Sequence, residues 1–564
     1  MVSLADVRAW NPGALDEVCS GVQAKVPVLT NEGDDYGKLL PVEGWSGPAA
    51  EGAAAQHKSH MQGLDTYVAG AAAIGKAVGQ AADAILAVQA AIKNADELAR
   101  KYGFAITADG AIVCVYGGDP PPELHPQDRA RAQQQLADDV AQILRTAEDI
   151  DSDLAAVLDK AAAGQFGTGD ESTVAAAAAD GLKAPGMTFP EPPPNATPAQ
   201  NAAWWATLPA SARDALVRDR PSVIGAMDGL PAVDRDKANR VVLDRDYADL
   251  RRQRDDLQHR MDGLKMSDPQ QQNEHHDLQV RLDALNDKIS SLDAVHDTLA
   301  KGNRQLLFLD STHPRVEAAI AVGDVDKAAN VAVFTPGFTT TVNGDLAQYD
   351  TNMDDMKRMA DRIDFRHGGG PTAAVTWIGY QAPQWSEIAN PDQSVLGPHA
   401  AQAGGESLAK FYNGIGAGHE ASNTPLHLTA LGHSYGSSTT GYALGHDTPV
   451  QDAMLFGSPG QGAEHLKVPQ GHLFAAQDAG DTLVPNYGNT GVLGPSPYFS
   501  PDASNYHQMS TDASVTEAGP LNATEGHSGY LDAQSTSMYN MAAITTGHPD
   551  LAQYKGTVLA EGPR

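Results

Sequence analysis

Leu426-His427-Leu428-Thr429-Ala430-Leu431-Gly432-His433-Ser434-Tyr435-Gly436-Ser437-Ser438-Thr439-Thr440-Gly441 reads as a buried strand, a sharp turn and the start of a helix. The near-continuous apolar run from Leu426 to Leu431 is what a strand shows when both of its faces are covered. The small residues from Ser437 to Gly441 suit a helix that packs closely. Between them, Gly432-His433-Ser434-Tyr435-Gly436 sets a serine in the turn itself. A strand that gives way at once to a helix strains the joining residue, so its flanks must be small. A Gly-x-Ser-x-Gly pentapeptide alone says little in a chain with 55 glycines. Its place between strand and helix makes it specific. The helix N-terminus beneath the serine also favours negative charge there. Ser434 is therefore the candidate nucleophile.

Outward from this stretch, short apolar runs alternate with helical segments, the pattern of a parallel sheet with crossover helices. The predicted strands are Val331–Thr335, Ala373–Ile378, Leu426–Leu431, Ala453–Phe456 and His472–Ala475. The segment from Gly379 to about Ala417, with Tyr380, Pro383 and Trp385, is expected to form a lid or pocket wall. Upstream, Leu243, Tyr247, Leu250, Leu257, Met261 and Leu264 recur at alternating spacings of about three and four, and Leu278, Leu282, Leu285, Ile289, Leu292 and Leu299 repeat the pattern beyond Ser267-Asp268-Pro269. An antiparallel coiled-coil hairpin is expected there. His275 and His276 near its tip read as a solvated polar cap rather than a metal site.

The N-terminal third differs in style. Residues from about Ser3 to Ala99 read as Ala-rich helices broken near Gly44–Gly47. Phe104–Tyr116 reads as a hairpin with Asp109-Gly110 at its turn, and a Pro-rich turn at Pro120–Pro122 leads into a long helix from about Pro126 to Ala163. Phe189-Pro-Glu-Pro-Pro-Pro-Asn-Ala-Thr-Pro198 has the composition of an extended linker. The expected organisation is a helical module over 1–185, a linker over 186–200, a helical leader with the coiled-coil hairpin over 201–305, and an α/β domain over 306–564.

The chain of 564 residues carries a formal charge of −32, which argues against nucleic acid and anionic membrane surfaces as partners. Cys19 and Cys114 are its only cysteines, too few for a disulfide framework or a Cys-based zinc site, and their pairing stays open. No metal or cofactor is expected. The first ten residues lack a charged start followed by an apolar run, unlike a Sec signal peptide. No segment approaches the roughly 18 uninterrupted apolar residues of a membrane span. A soluble protein is expected, either cytoplasmic or exported to the cell envelope by a non-Sec route.

Two resemblances refine this picture. Trp45-Ser46-Gly47, set among Ala49, Ala50 and Ala53–Ala55, resembles the W-x-G helical hairpins tied to type VII secretion. That likeness implies a helical partner of the same kind, although the Tyr-x-x-x-Asp/Glu export signal usual in that family is missing behind the hairpin. From about Asn201 onward, Trp204-Trp205, Ile224-Gly225, Asp228-Gly229-Leu230-Pro231 and Asn239-Arg240 resemble an uncharacterised α/β-hydrolase family of high-GC Gram-positive bacteria. The resemblance implies a mostly parallel sheet with helices on both faces and a serine nucleophile, with partners in the chain order Ser, acid, His. For the acid, Gln477-Asp478-Ala479-Gly480-Asp481 offers two carboxylates. Asp481 is preferred because Gly-Asp-x-x-Val-Pro resembles the acid loop of such enzymes, and Asp478 is the alternative. For the base, His527 in Gly526-His527-Ser528-Gly529-Tyr530 matches the family's His-Ser-x-Tyr position and is preferred to His507 and His548. Tyr435 N–H and Phe338 N–H are the expected oxyanion donors, the latter by similarity to a His-Gly-Phe loop in which Pro336 here replaces the His. The implied activity is hydrolysis of a small-molecule or lipid ester by way of an acyl-serine. A non-catalytic scaffold, or a type VII-linked effector with a lipase domain, is the alternative.

Overall fold

The computed structural model describes residues 2–116, 121, 126–167, 172–264, 268–483 and 490–556. Pro120 and Pro122 of the expected turn, Ser267, and Val484-Pro485 of the acid-loop pattern lie outside these residues. The chain divides into two compact units, residues 1–196 with 200–213, and 197–199 with 214–564.

The first unit is helical. It contains α1 (Leu4–Ala9), α2 (Pro12–Gly37), α3 (Pro48–Lys101), the hairpin strands β1 (Phe104–Ile106) and β2 (Ile112–Cys114), α4 (Pro126–Ala162), α5 (Val174–Leu182) and most of α6 (Pro198–Ala206). By length and composition α3 could cross a membrane, but its apolar face, with Val68, Ala81, Ile85, Val88 and Ile92, is buried inside this unit. Helices α2 and α3 approach closely through glycines rather than through Trp45. A Cβ at Gly75 would lie 2.8 Å from Val22 and one at Gly79 2.9 Å from Cys19, whereas Trp45 is exposed in the turn. Cys19 and Cys114 are both free thiols.

The domain boundary falls later than the sequence suggests, for an energetic reason. Met187 and Phe189, at the start of the expected linker, pack on the helical core. Thr188 N–H donates to Asp153 at 2.6 Å. Trp204 and Trp205 are buried, and Thr207 Oγ1 meets Thr146 Oγ1 at 3.1 Å. Burying two indoles removes a large apolar surface from water, which favours holding residues 200–213 with the helical unit.

In the second unit, the part of α7 (Ala210–Asp219) from Asp214 onward and α8 (Pro221–Ala226) lead into α9 (Ala232–Asp262) and α10 (Pro269–Ala300). The last two pair antiparallel, with Leu257 against Leu278 and Leu282 at one end and Leu243 beside Val295 and Leu299 at the other. The motif residues of the leader form a clip. Gly225 C=O accepts from Arg235 and Asn239, Arg235 pairs with Asp228 at 2.8 Å, and Asn239 also donates to Leu306 C=O at 2.9 Å.

An eight-stranded sheet follows, in spatial order β10-β9-β8-β7-β5-β6-β4-β3. Its strands are β3 (Arg304–Asp310), β4 (Glu317–Val322), β5 (Asn330–Thr335), β6 (Thr372–Ile378), β7 (His427–His433), β8 (Asp452–Phe456), β9 (Leu473–Ala476) and β10 (His507–Met509). All neighbours from β10 to β6 are parallel, while β4 and β3 are antiparallel. The outer strands β3, β4 and β10 are additions to the five predicted. A separate hairpin, β11 (Ser514–Thr516) and β12 (Gly519–Leu521), completes the strands described. Alternate residues of one strand serve opposite faces, as the pleat requires. Val331 and Val333 face a core with α12 (His399–Ser422) and α13 (Tyr435–Leu444), while Ala332 and Phe334 face one with α11 (Val342–His367) and α14 (Thr536–Thr545). The segment expected to be a lid is thus divided: residues from His399 onward form the crossover helix α12, and only the strap before it remains.

At the amino edge of the sheet the Asp452 carboxylate is buried between two histidines, taking His427 Nε2 at 2.7 Å and His472 Nδ1 at 2.7 Å. His427 Nδ1 also lies 2.8 Å from Thr545 C=O. Both His427 nitrogens therefore face acceptors, a need only the imidazolium can meet. Burial alone would lower the His427 pKa, but the Asp452 hydrogen bond and charge, with the Thr545 carbonyl, outweigh it and raise the pKa. The stabilisation is complete below the unfolded histidine's pKa, about 6.5, and is lost as pH rises through the raised folded value. His427→Gln should therefore lose more stability at pH 5.5 than at pH 9, by about 1–3 kcal/mol, measured as the pH dependence of the melting-temperature difference from wild type.

Candidate active site

Ser434 follows β7 and caps α13, with φ 53° and ψ −133°. This is a sparsely populated conformation for a residue with a Cβ. Its backbone is held on both sides: Ser434 N–H donates to Phe456 C=O at 3.1 Å, and Ser437 Oγ donates to Ser434 C=O at 2.6 Å. The flanking glycines are sterically required. A Cβ at Gly436 would sit 2.3 Å from both Thr335 O and Pro336 O, and one at Gly432 would sit 2.7 Å from Ser437 Cα.

Three sequence-selected side chains meet at the carboxyl edge of the sheet. Ser434 Oγ lies 2.9 Å from His527 Nε2, and His527 Nδ1 lies 2.8 Å from Asp481 Oδ2. Asp481 comes from the loop after β9, and His527 from the loop between β12 and α14. The Asp481 carboxylate is buried and also accepts Tyr530 O–H at 3.0 Å and Leu483 N–H at 3.1 Å. An ionised carboxylate only accepts, so Nδ1 of a neutral His527 carries the proton and Nε2 is free to take one from the serine. Asp478 has a different position. Its Oδ2 accepts Gly480 N–H at 3.0 Å and Gly526 N–H at 2.8 Å, which ties the acid loop to the histidine loop. Neither alternative base is in reach of this group. His507 stands on β10 against Phe474 and Tyr554, and His548 packs on His367.

Two contributors were not singled out from the sequence. Tyr530 O–H links the loops, since its oxygen also accepts Asp478 N–H at 2.9 Å. His433, buried between Phe456, Tyr530 and His527, donates from Nε2 to His527 C=O at 2.8 Å. Burial, then the proximity of His527, pushes its pKa down to about 4, so His433 is neutral near pH 7. The one available signal was a polar residue at the end of an apolar strand.

The loop after β5 abuts the serine. A Cβ at Gly337 would lie 2.7 Å from Ser434 Cβ and 2.9 Å from Tyr435 N. Among the described residues, the N–H groups of Phe338 and Tyr435 have no protein acceptor. The strap from Gly379 to Pro398 is pinned to this loop by Tyr380 O–H to Pro336 C=O at 2.9 Å and Thr339 N–H to Pro383 C=O at 2.9 Å. Tyr435 O–H reaches Gly397 C=O at 2.8 Å, and burial pushes its pKa up to about 12. A cavity of about 290 Å³ opens at Ser434, bounded by Phe338, Trp385, Ile388, Val395, Leu396, Tyr435, Gly457, Pro459, Leu483, Leu493 and His527. Apart from Ser434 and His527, the described lining residues are largely apolar. The arrangement can pass a serine proton to an imidazole whose charge a buried carboxylate compensates. Among the described residues, no group of three or more His, Cys, Asp or Glu side chains is placed to hold a metal.

Comparison with known proteins agrees with this architecture. Residues 312–489 match an alpha/beta hydrolase family model. The uncharacterized protein Rv0963c of Mycobacterium tuberculosis is 33% identical over 42% of this chain and 87% of its own length, and Mb0988c of Mycobacterium bovis matches equally. The chain belongs to the α/β-hydrolase family. The uncharacterized protein Rv2079 of Mycobacterium tuberculosis is 27% identical over 64% of this chain and 57% of its own length, so the chain spans little more than half of that longer relative. No solved structure matches this chain. The strain at its serine gives a direct check. Gly436→Ala should cost about 1–3 kcal/mol through overpacking, seen as a lowered melting temperature together with loss of labelling at Ser434 by a fluorophosphonate.

Proposed function

We propose that this hydrolase cleaves carboxylic esters with an apolar acyl group, lipid esters among them, through an acyl-serine intermediate. The observation that carries the reading is the Ser434–His527–Asp481 relay at 2.9 Å and 2.8 Å, opening into an apolar cavity. Ser434 Oγ attacks the ester carbonyl while His527 Nε2 takes its proton, and Asp481 holds the tautomer and balances the imidazolium. The carbonyl oxygen, now an oxyanion, is met by Phe338 N–H and Tyr435 N–H, supported by the N-terminus of α13. His527 then protonates the departing alkoxide. A water molecule, deprotonated by the same imidazole, releases the acid and restores the serine.

The cavity supports the acyl preference. At about 290 Å³ it lies near the lower end of the range of small-molecule pockets, room for an unbranched acyl chain of medium length. Among the described residues, its walls offer no charged group to recognise a peptide terminus or an ionised acyl chain. The first unit contributes none of these groups. We read it as an interaction module for a helical partner of the W-x-G type, on the strength of the paired helices α2 and α3 and the apolar side chains exposed near their turn, Val28, Leu39, Val42 and Trp45.

Turnover of p-nitrophenyl butyrate and octanoate, with fluorophosphonate labelling, tests the enzyme reading. Ser434→Ala should abolish both and leave the melting temperature close to wild type. A wild-type protein that neither turns over esters nor takes the label would return the reading to a non-catalytic scaffold. Asp481→Asn should lower kcat about 10⁴-fold, as loss of tautomer control does elsewhere. Asp478→Asn, which loosens a loop tether, should cost much less, and a reversed ranking of these two rates would identify Asp478 as the acid.

A further inference from the structure

We propose that His433 is a positioning residue that acts on the reaction only through His527, by fixing the peptide on which the base is carried. This inference rests on the ester-hydrolase reading above. His527 sits in a loop with glycines on both sides, Gly526 and Gly529, so its backbone gains little rigidity from its own sequence. Two hydrogen bonds supply what the glycines do not. Asp478 Oδ2 accepts Gly526 N–H at 2.8 Å, just before the base, and His433 Nε2–H donates to His527 C=O at 2.8 Å, on the base itself. The donor is part of the same turn as the nucleophile, one residue before Ser434. Serine and base are thus referenced to one short stretch of backbone, and a shift of the β7 end moves both together.

The His433 environment suits this task and no proton-transfer task. The ring is buried against Phe456, Tyr530 and His527, with centroids 5.2, 5.8 and 4.9 Å away. It is absent from the residues that line the cavity. The charged form is disfavoured there by burial first and by His527 second, so the ring serves as a neutral donor whose tautomer is set by the carbonyl it meets. Displacing a reacting group by about 1 Å can cost around 100-fold in rate, which sets the scale of the expected effect.

The test uses the full chain with a soluble p-nitrophenyl ester. His433→Phe keeps a ring in the stack and removes the donor. It should lower kcat and the rate of fluorophosphonate labelling by about 10- to 100-fold, with KM changed less than about twofold because no pocket wall is altered. His433→Gln, whose amide can still reach the carbonyl, should recover most of the rate. Placed in a His527→Ala background, His433→Phe should cost nothing further, because the group it positions is already gone. Undiminished kcat in His433→Phe, or a further loss in the His527→Ala background, would overturn the proposal. If His433→Phe fails to fold, the comparison passes to His433→Asn, whose shorter amide stops short of the carbonyl, against His433→Gln. Equal rates for that pair would equally overturn it. An inactive wild-type protein sinks the enzyme reading instead, which keeps the two failures distinct.

Discussion

The backbone of Ser434 is the constraint around which the second unit is built. A residue with φ 53° and ψ −133° costs on the order of 1–3 kcal/mol and persists only where its surroundings over-determine it. Here they do. Strand β7 is hydrogen-bonded on both sides, to β5 and to β8, and the serine's own N–H and C=O are taken by Phe456 and Ser437. Relaxing the turn would mean sliding a central strand or lifting the helix after it. Gly432, Gly436 and Gly337 mark the places where the neighbouring backbones come too close for any side chain. The result is a serine whose hydroxyl projects from the sheet edge.

Around that fixed point, acid and base hang from loops that share their anchors. The Tyr530 hydroxyl accepts from Asp478 N–H and donates to Asp481, Asp478 in turn accepts Gly526 N–H, and His433 holds His527 C=O. Each loop is therefore ordered by the other as well as by the sheet. Such a network is worth more fully satisfied than its bonds taken singly, because one missing partner leaves a buried polar group exposed to the penalty of a low-dielectric site.

The sequence revealed those parts whose local chemistry matched their tertiary role. The apolar runs of β5 to β9, the glycine-bracketed serine and the paired leucine repeats of α9 and α10 fall in that class. Strand β4 was hidden because Glu317-Ala-Ala-Ile-Ala-Val322 is as suited to a helix as to a strand, and only its pairing with β3 and β6 decides. Trp204-Trp205 announced burial without saying against what, so they were attached to the wrong unit. Trp45 is the opposite case. It stands in a W-x-G setting between two helices yet is exposed, and their close packing comes from Gly75 and Gly79. Asp478 and Asp481 could not be separated by spacing, since three residues of loop can present either carboxylate. Their separation needed the position of His527.

Buried aspartates at opposite edges of the sheet hold histidines, and the contrast between His527 and His427 shows what suits one of them to proton transfer. At the carboxyl edge, His527 gives one nitrogen to Asp481 and turns the other to a hydroxyl, a group that can donate or accept. Its proton count can change during a reaction without breaking a hydrogen bond. At the amino edge, His427 has a carboxylate on one nitrogen and a carbonyl on the other. Neither acceptor can return a proton, and loss of one from the ring would leave an acceptor facing a lone pair. That imidazole favours its charged form, and it joins β7, β8 and the C-terminal end of α14. The difference lies in the second partner rather than in the Asp–His pair. An aspartate beside a histidine therefore marks no active site in itself; what sets His527 apart is the serine hydroxyl on its other nitrogen.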